Sequence, residues 1–382
     1  MNKKQLESLH IHSFRGIRDL ELNDLGRINL FVGINNCGKT SVLEAISLYC
    51  NPLNLREWYT ISRQRENESK FSYLSIPDSI TLLFPYDYLN NNKLDEGIIL
   101  ITSNGLYPIK KIKAFYKRIE SLRSDGQLSL FDIEQDQERN LWENSHNSNV
   151  IQTGILLQVK ISFLKNNLEE EITEKFELWK NDRIINLNRS QGLQIDYTAI
   201  SPSSHRTESY APILLTQAKI KGFTLELISL LKSLDPNIQD LEILTHQSTR
   251  GVITVYVQHN KMGLVPLSTF GDGVRRLVYI ALELVQLKDG ILLIDEIETA
   301  IHTEALKDSF SWIVTWCKQL NIQLFATTHS LEAVDAILAA TDSDTDLVLY
   351  RLEQKETKTD AIRIGRDRLQ RLRENLGQEV RW

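Results

Sequence analysis

The chain has 382 residues, 42% of them hydrophobic and 25% charged, and its formal net charge is −6. This composition is typical of a globular protein with a sizeable core, and the length suggests two domains or one large domain with an insertion. The negative charge does not favour a protein that coats nucleic acid, and no apolar run predicts a membrane span or a signal peptide. We therefore expect a cytoplasmic protein that does not bind membranes.

The first part of the chain predicts strands that lead into a loop and a helix. Residues 6–12 and 20–22 alternate partly between apolar and polar side chains, and residues 27–32 are a mostly apolar run that ends at Gly33. Residues 41–49 then have helical spacing, with Val42, Ala45, Ile46 and Tyr49 on one face.

The signals are weaker between residues 52 and 215. Strand-like runs occur at residues 98–102, 154–163 and 175–179, and a polar stretch at residues 124–149 lies between the first two. The chain shows no internal repeat and no sustained heptad pattern, so we do not expect a long coiled-coil arm.

From about residue 215, strands and helices alternate. This order indicates an α/β fold whose mostly parallel sheet is covered on both faces. The predicted helices are residues 220–234, 273–287, 304–320 and 331–339, and the predicted strands are 253–257, 290–294 and 322–326.

The loop after residue 32 has the form G-x-x-x-x-G-K-T, between a buried strand and a helix. Its glycines let backbone N–H groups surround phosphate oxygens, and the helix that follows presents its positive end. Lys39 is placed to reach the β- and γ-phosphates of ATP, and the Thr40 hydroxyl to bind Mg²⁺. The alternative, a plain glycine turn, does not explain this context. The predicted phosphate-binding residues are Gly33, Asn35, Asn36, Gly38, Lys39, Thr40 and Ser41.

Cysteine usage adds little to this prediction. Cys37, Cys50 and Cys317 are far apart, so neither a disulfide framework nor a zinc–cysteine site is expected. We interpret Cys37 as a small residue that fits the loop, although a redox switch is the alternative.

Two acids follow the apolar strand at residues 291–294. Ligands of open α/β sheets bind at the carboxyl ends of the strands, so Asp295 can hold Mg²⁺ and Glu296 can orient or deprotonate the attacking water. Taken alone, two such acids are equally consistent with a helix cap.

His329 lies at the carboxyl end of the strand at 322–326, 34 residues after Asp295 (329 − 295). There it can sense the γ-phosphate. A structural histidine is the alternative.

A fourth motif precedes the helix at residues 273–287. Ser268, Gly271 and Gly273 offer a hydroxyl and free N–H groups at a positive helix end, which is typical of an anion site. Taken alone, this run is better explained as an ordinary capped helix.

These four motifs, in this order, resemble those of the ABC-class ATPases. The resemblance implies that Lys39 and Thr40 act on phosphate and Mg²⁺, Asp295 and Glu296 on Mg²⁺ and water, and His329 as the switch histidine. It also implies that Ser268, Gly271 and Gly273 form the signature motif and complete the site of a second subunit. Two ATP molecules would then lie between the subunits of a head-to-tail pair, so the expected assembly is a homodimer or a higher homo-oligomer.

Several departures separate the chain from transporter ATPases. Residues 297–302 lack the usual proline and final aspartate, and Gln64 is only a weak candidate for the glutamine loop. These features and residues 14–17 resemble the OLD/RecF/SMC-like branch, and residues 234–238 with the ending 379–381 look most like the compact OLD-type ATPases. Many of these carry a C-terminal Toprim nuclease, for which we expect no room here.

The predicted division is an ABC-type core at residues 1–60 and 245–355, a mixed insertion at 61–244, and a basic C-terminal tail at 356–382.

The resemblance implies an ATP-driven switch in anti-phage defence that acts with a separate Toprim-type nuclease, as in PARIS-like systems. A RecF-like DNA-repair ATPase and a scaffold that binds ATP without hydrolysing it are the alternatives, and Glu296 argues against the scaffold. DNA could bind residues 110–118 or a tail patch, although both could be solvated helix faces. The tail patch comprises Arg366, Arg368, Arg371 and Arg373.

Overall fold

The computed structural model describes residues 4–64, 74–85, 96–124, 149–166, 168–182, 193–206, 211–245, 253–356 and 358–381. The polar stretch predicted at residues 124–149 lies outside them except for its two ends. The strands are β1 (Leu6–Phe14), β2 (Ile17–Leu22), β3 (Ile28–Val32), β4 (Glu96–Gly105), β5 (Ile109–Ser124), β6 (Asn149–Lys165), β7 (Leu168–Trp179), β8 (Tyr197–Ile200), β9 (Ile238–Thr245), β10 (Ile253–His259), β11 (Gly263–Pro266), β12 (Ile291–Ile294), β13 (Gln323–Thr327), β14 (Leu347–Gln354) and β15 (Thr359–Gly365). The helices are α1 (Lys39–Cys50), α2 (Leu55–Arg63), α3 (Ile76–Thr81), α4 (Ala211–Ile220), α5 (Thr224–Leu234), α6 (Asp272–Gln286), α7 (Thr303–Gln319), α8 (Leu331–Ala340) and α9 (Arg366–Gln370).

The central sheet has the order β15-β14-β3-β13-β12-β8. Its neighbouring strands are parallel except for β14 and β15, which pair antiparallel. The predicted α/β class with a mostly parallel core sheet is therefore confirmed. The order places the carboxyl ends of β3, β13 and β12 side by side, and these are the strands that precede the predicted motifs.

Alternate residues of the core strands face two hydrophobic clusters. On β3, Phe31 belongs to the cluster that contains α1, whereas Leu30 and Val32 belong to the cluster that contains α4 to α8. The same alternation occurs on β12, so both faces of the sheet are buried. This explains why β3 and β12 are almost continuously apolar in sequence.

The second large sheet is antiparallel, with the order β2-β1-β4-β5-β6-β7. Its buried side chains lie in the same cluster as α1, so this sheet and the core sheet share one hydrophobic interior. Gln323 joins the two sheets: its amide nitrogen donates to the Leu6 carbonyl at 2.9 Å, and its oxygen accepts from the Leu6 N–H at 2.9 Å. Strands β11-β10-β9 form a third, smaller sheet.

Two sequence interpretations need correction. The helix predicted at residues 220–234 begins later and ends as predicted: α4 ends at Ile220, Gly222 turns the chain with φ of +74°, and α5 begins at Thr224. The basic run at residues 110–118 is the strand β5 and not a helix face. Its side chains alternate with a period of two, so that Lys111 and Lys113 are exposed while Ile112 and Ala114 are buried.

The predicted division into a core, an insertion and a tail remains a proposal. The strand pairing joins parts of all three, because β8 pairs with β12 and β15 pairs with β14 in the core sheet. Among the described residues, no helix is long and apolar enough to cross a membrane.

Candidate functional site

The loop that follows β3 has the backbone of a phosphate cradle. Gly33 and Gly38 have φ of +145° and +100°, which side chains larger than hydrogen rarely permit. A Cβ added at Gly33 would lie 2.6 Å from the Leu352 carbonyl oxygen. Asn36 also has a positive φ, of +65°. The two glycines are therefore required by the loop conformation itself, apart from any ligand.

Lys39 is buried in the concavity of this loop, with only 6% of its surface exposed. Its Nζ donates to the carbonyl oxygens of Gly33 and Ile34, both at 2.9 Å. These contacts hold the ammonium group in front of the N-terminus of α1, whose first backbone N–H groups have no partner within the helix. The helix end and the ammonium together make a strongly anion-attracting surface.

A cavity of about 380 Å³ opens over this surface. It brings most of the predicted phosphate-binding residues together with His329, which comes from the end of β13. The tip of the β1–β2 hairpin forms another wall, together with Gln354 of β14. The lining residues are Arg15, Gly16, Ile17, Asn35, Asn36, Cys37, Gly38, Lys39, Thr40, Ser41, His329, Gln354 and Thr359.

Thr40 and Asp295 meet at one side of the loop. The Thr40 hydroxyl donates to Asp295 Oδ2 at 3.0 Å, and the Thr327 hydroxyl donates to Asp295 Oδ1 at 2.5 Å. A hydroxyl and a carboxylate are the hard oxygen donors that Mg²⁺ prefers, so this pair fits the ion that a bound nucleotide would bring. Thr327 was not identified from the sequence, because a threonine at the end of a buried strand carries no distinctive signal.

Glu296 is held by the same neighbours. Its backbone N–H donates to Thr327 Oγ1 at 2.8 Å, and its Oε2 accepts from the Thr299 hydroxyl at 2.9 Å. The residue has φ of +47°, an uncommon conformation outside glycine. Strained backbone of this kind clusters at functional sites, and here it turns the chain immediately after β12.

His329 is exposed, and contacts fix its backbone from two sides. Its N–H donates to Glu298 Oε1 at 2.8 Å, and its carbonyl oxygen accepts from Arg381 Nη1 at 2.7 Å. Glu298 belongs to the loop after Glu296, and Arg381 to the C-terminal segment. The imidazole is thereby held at the wall of the cavity that Lys39 also lines.

Arg276 is a further residue that sequence reasoning passed over. It is fully buried on α6 and donates to the carbonyl oxygens of Asp295 and Glu296, at 3.0 and 2.8 Å. Burial lowers the pKa of Arg276 to about 10, and the charges of Glu298, Glu296 and Asp295 oppose that shift. Arg276 therefore stays protonated at neutral pH and fixes the backbone of both acids.

Gln64, the weak glutamine-loop candidate, lies close to Thr40 and Asp295. It lines a small cavity together with Thr40 and Asp295, at the end of α2. This placement suits a side chain that contacts Mg²⁺ or the attacking water, which sequence spacing alone did not indicate.

The predicted signature residues lie elsewhere. Gly271 and Gly273 line a separate cavity of about 550 Å³, and Ser268 is exposed. Gly273 packs against the loop after Glu296, since a Cβ there would lie 2.6 Å from the Ala300 carbonyl oxygen. A Cβ at Gly271 would meet no atom within 4 Å. The structure therefore does not bring Ser268, Gly271 or Gly273 to the phosphate loop of the same chain.

The parallel sheet, the glycine loop with its lysine and the acids at the neighbouring strand end define a P-loop ATPase. A family model described as an AAA ATPase domain matches residues 5–334, and the chain belongs to this family. The family implies a nucleotide as the ligand of the cavity.

Similarity to individual proteins is uneven. A protein of Helicobacter pylori described as an ATP/GTP phosphatase is 23% identical over 374 residues, which cover 92% of this chain and 93% of that protein. The uncharacterized protein MJECL10 of Methanocaldococcus jannaschii is 45% identical over 56 residues, only 15% of this chain and 24% of that protein. Among solved structures, an SMC head bound to the C-terminal winged-helix domain of ScpA shares 11% identity, with a TM-score of 0.47 and coverage of 94% of this chain and 98% of that one.

Proposed function

We propose that this chain is an ATP-hydrolysing molecular switch in which two copies close around two ATP molecules. The observation that carries the proposal is the separation of the motifs. Lys39, Thr40, Asp295 and His329 surround one edge of the core sheet, whereas Gly271 lies outside that site with open space around it. A signature glycine that is exposed and unused within one chain is available to the phosphates bound by another.

The proposed hydrolysis assigns a role to each group. Backbone N–H groups of the loop and Lys39 hold the phosphates, and Thr40 and Asp295 hold Mg²⁺. Glu296 orients the attacking water, and His329 contacts the γ-phosphate. Arg276 and Thr327 keep the two acids in place. Positioning and electrostatic stabilisation of this kind supply most of the catalysis in phosphoryl transfer.

Replacing Glu296 tests the catalytic assignment. Glu296→Gln should bind ATP but hydrolyse it at least about 100-fold more slowly, since a positioned base contributes on the order of 10²–10⁴-fold. We expect trapped ATP and a stable dimer in sedimentation experiments. Lys39→Ala should form no such dimer, and Glu120→Gln, an exposed acid on β5, should behave as the wild type. Unchanged turnover in Glu296→Gln would contradict the role and favour the non-hydrolysing scaffold.

Replacing Gly271 tests whether the signature acts on the partner. Gly271→Asp adds a charge that repels phosphate, at a position where the fold has room for a side chain. We expect lost turnover with unchanged stability. In an equimolar mixture with Lys39→Ala, each mixed dimer keeps one of its two sites intact, so between about one quarter (random pairing) and one half (mixed dimers alone) of the sites should work, by two-fold symmetry. A mixture no more active than the two variants alone would argue against completion by a second subunit.

We further propose that the switch controls a separate effector of the Toprim nuclease type in anti-phage defence. The resemblance of residues 234–238 and 379–381 to OLD-type ATPases supports this proposal. Co-purification with a nuclease encoded beside this gene, and lower phage yield only when both proteins are present, are the expected results. A chain that assembles with no such protein and gives no protection would contradict it.

DNA binding is a second candidate, favoured by one observation. Lys111, Lys113 and Lys117 are exposed at alternate positions of β5 and so share one face of the antiparallel sheet. Glutamates on β7 offset part of this charge; Glu171, for example, lies 2.7 Å from Lys160. Lys113→Ala/Lys117→Ala should reduce DNA affinity and its salt dependence, whereas affinity that ignores salt would exclude contact with the phosphate backbone.

A further inference from the structure

The β1–β2 hairpin carries a cluster of metal-ligating side chains outside the ATPase site. His10 and His12 are alternate residues of β1 and therefore point to the same face of the sheet. Asp19 of β2 lies against both. One ligand atom from each of these residues lies within 4.8 Å of the others.

Two backbone irregularities bring the three side chains together. The pairing of β1 with β4 shifts register between Ile11 and Ser13, which places His12 at a bulge. Asp19 has φ of +48°. The imidazole centroids of His10 and His12 are 3.6 Å apart, with the rings tilted by 32°. His10 Nε2 lies 2.8 Å from Asp19 Oδ1, and His12 Nδ1 lies 3.9 Å from the same oxygen.

The contact between His12 and Thr102, on the side of the ring away from Asp19, is also typical of a metal-binding histidine. Its Nε2 is 3.2 Å from the Thr102 hydroxyl, so a proton on Nε2 leaves Nδ1 with a free lone pair facing Asp19. Histidine ligands almost always donate their other ring N–H to such a partner. The neutral imidazole is the form that binds a metal.

We propose that His10, His12 and Asp19 bind a divalent transition metal ion of the Zn²⁺ type, with water completing the coordination. Two imidazoles and one carboxylate suit Zn²⁺ and exclude Mg²⁺ or Ca²⁺ as the preferred ion. In a tetrahedral site with bonds of about 2.0–2.1 Å, neighbouring ligand atoms lie roughly 3.3 Å apart. The distances from Asp19 Oδ1 to His10 Nε2 (2.8 Å) and to His12 Nδ1 (3.9 Å) fall on either side of that value. Small side-chain rotations are therefore enough to bring these atoms to the spacing of a metal site.

The position of the site gives the metal a structural consequence. His12 and Asp19 flank the hairpin tip, and the tip residues Arg15, Gly16 and Ile17 line the nucleotide cavity. A metal bound there links β1 to β2 directly below the tip. The competing explanation is an ordinary hydrogen bond between His10 and the exposed Asp19.

Direct metal binding by the full-length, tag-free chain tests the proposal. The Asp295→Asn background removes the carboxylate that would otherwise compete for metal at the phosphate loop. We expect one equivalent of Zn²⁺ by calorimetry and, with Co²⁺, the intense visible absorption of low-coordinate geometry. Thr102→Val should weaken binding by about 10-fold to 100-fold, as loss of an outer contact does.

Ligand variants and a matched control complete the test. His12→Ala and Asp19→Asn should abolish stoichiometric binding, whereas His302→Asn removes an exposed histidine elsewhere and should leave it unchanged. Circular dichroism verifies folding, and His10→Asn replaces any variant that does not fold. Absence of stoichiometric binding by the parent chain would overturn the proposal, as would binding that persists in all of the ligand variants.

Discussion

At the scale of single residues, the site depends on groups that hold the backbone as much as on those that face the cavity. Arg276 donates four hydrogen bonds to carbonyl oxygens on two segments. One pair of acceptors is Ser201 and Pro202, beyond β8, and the other is Asp295 and Glu296, beyond β12. One buried guanidinium thus fixes two neighbouring strand ends of the core sheet.

Removal of this guanidinium should therefore be costly. Arg276→Gln leaves buried carbonyl groups without donors, and we expect a loss of about 2–4 kcal/mol in the free energy of unfolding, measured by chemical denaturation. Arg206, which is exposed and lies 2.9 Å from the half-exposed Asp272, is the control. Arg206→Gln should cost less than about 1 kcal/mol. Equal effects of the two substitutions would contradict the role of Arg276.

At the scale of elements, a buried ion pair joins the β1–β2 hairpin to α1. Arg15 Nε lies 2.8 Å from Glu44 Oε2, and the side chains are only 11% and 2% exposed. Arg15→Met should cost about 3–5 kcal/mol of stability because the Glu44 charge stays buried without its partner. The double variant Arg15→Met/Glu44→Leu should recover much of this loss in a double-mutant cycle. Strict additivity would show that the pair does not couple the two elements.

The C-terminal segment, residues 366–381, is a second element that contacts the candidate site, through the hydrogen bond from Arg381 to the His329 carbonyl oxygen. Val380 is buried, and Glu379 holds the guanidinium of Arg381 through contacts of 2.8 and 2.9 Å. We expect Arg381→Ala to lower kcat by about 3-fold to 10-fold with little change in ATP affinity, because His329 loses one of its backbone restraints. Arg371→Ala, on the same segment, is the control. A similar decrease of kcat in both variants would show that the segment affects turnover in general and not through the contact of Arg381 with His329.

The contribution of the Glu379–Arg381 ion pair to stability should also depend on pH. The hydrogen bond from Arg381 lowers the pKa of Glu379 from 4.5 to about 2. A carboxyl whose pKa is lower in the folded state adds stability above pH 4.5 and loses it as the pH falls towards 2. The stability difference between the wild type and Glu379→Gln should therefore shrink between neutral pH and about pH 3. A difference that is constant over this range would contradict the assignment.

At the scale of the whole molecule, the site lies where the core sheet meets the antiparallel sheet that carries the β1–β2 hairpin. Its groups come from β3, β12, β13 and the hairpin of the antiparallel sheet, so a bound nucleotide should stabilise the whole chain. Mg²⁺ and ATP at about 100 times the dissociation constant should add roughly 2.7 kcal/mol and raise Tm. Chelation of Mg²⁺ should reduce the shift, and Lys39→Ala should abolish it. If Tm of Lys39→Ala rose as much as that of the wild type, the nucleotide would bind at another site.

Much of this site was predictable because its chemistry depends on local spacing. The G-x-x-x-x-G-K-T run constrains its own backbone, and an apolar strand that ends in two acids is visible without knowledge of the fold. The strand–helix order after residue 215 was predicted for the same reason. The paired strands β14 and β15 and the separate helix α4 before Gly222 were not predicted, since neither the partner of a strand nor a break in an apolar run is marked by periodicity.

The sequence by itself determined the class of chemistry: a phosphate loop, a pair of acids and a following histidine, in an α/β chain. Only the tertiary structure decided which groups meet. Thr327 lies beside Asp295 because β13 pairs with β12, Arg381 reaches His329 across 52 residues, and Gly271 lies away from the phosphate loop. The physical reason is that spacing along the chain sets local conformation, whereas contacts between distant segments depend on strand order and on how the layers pack.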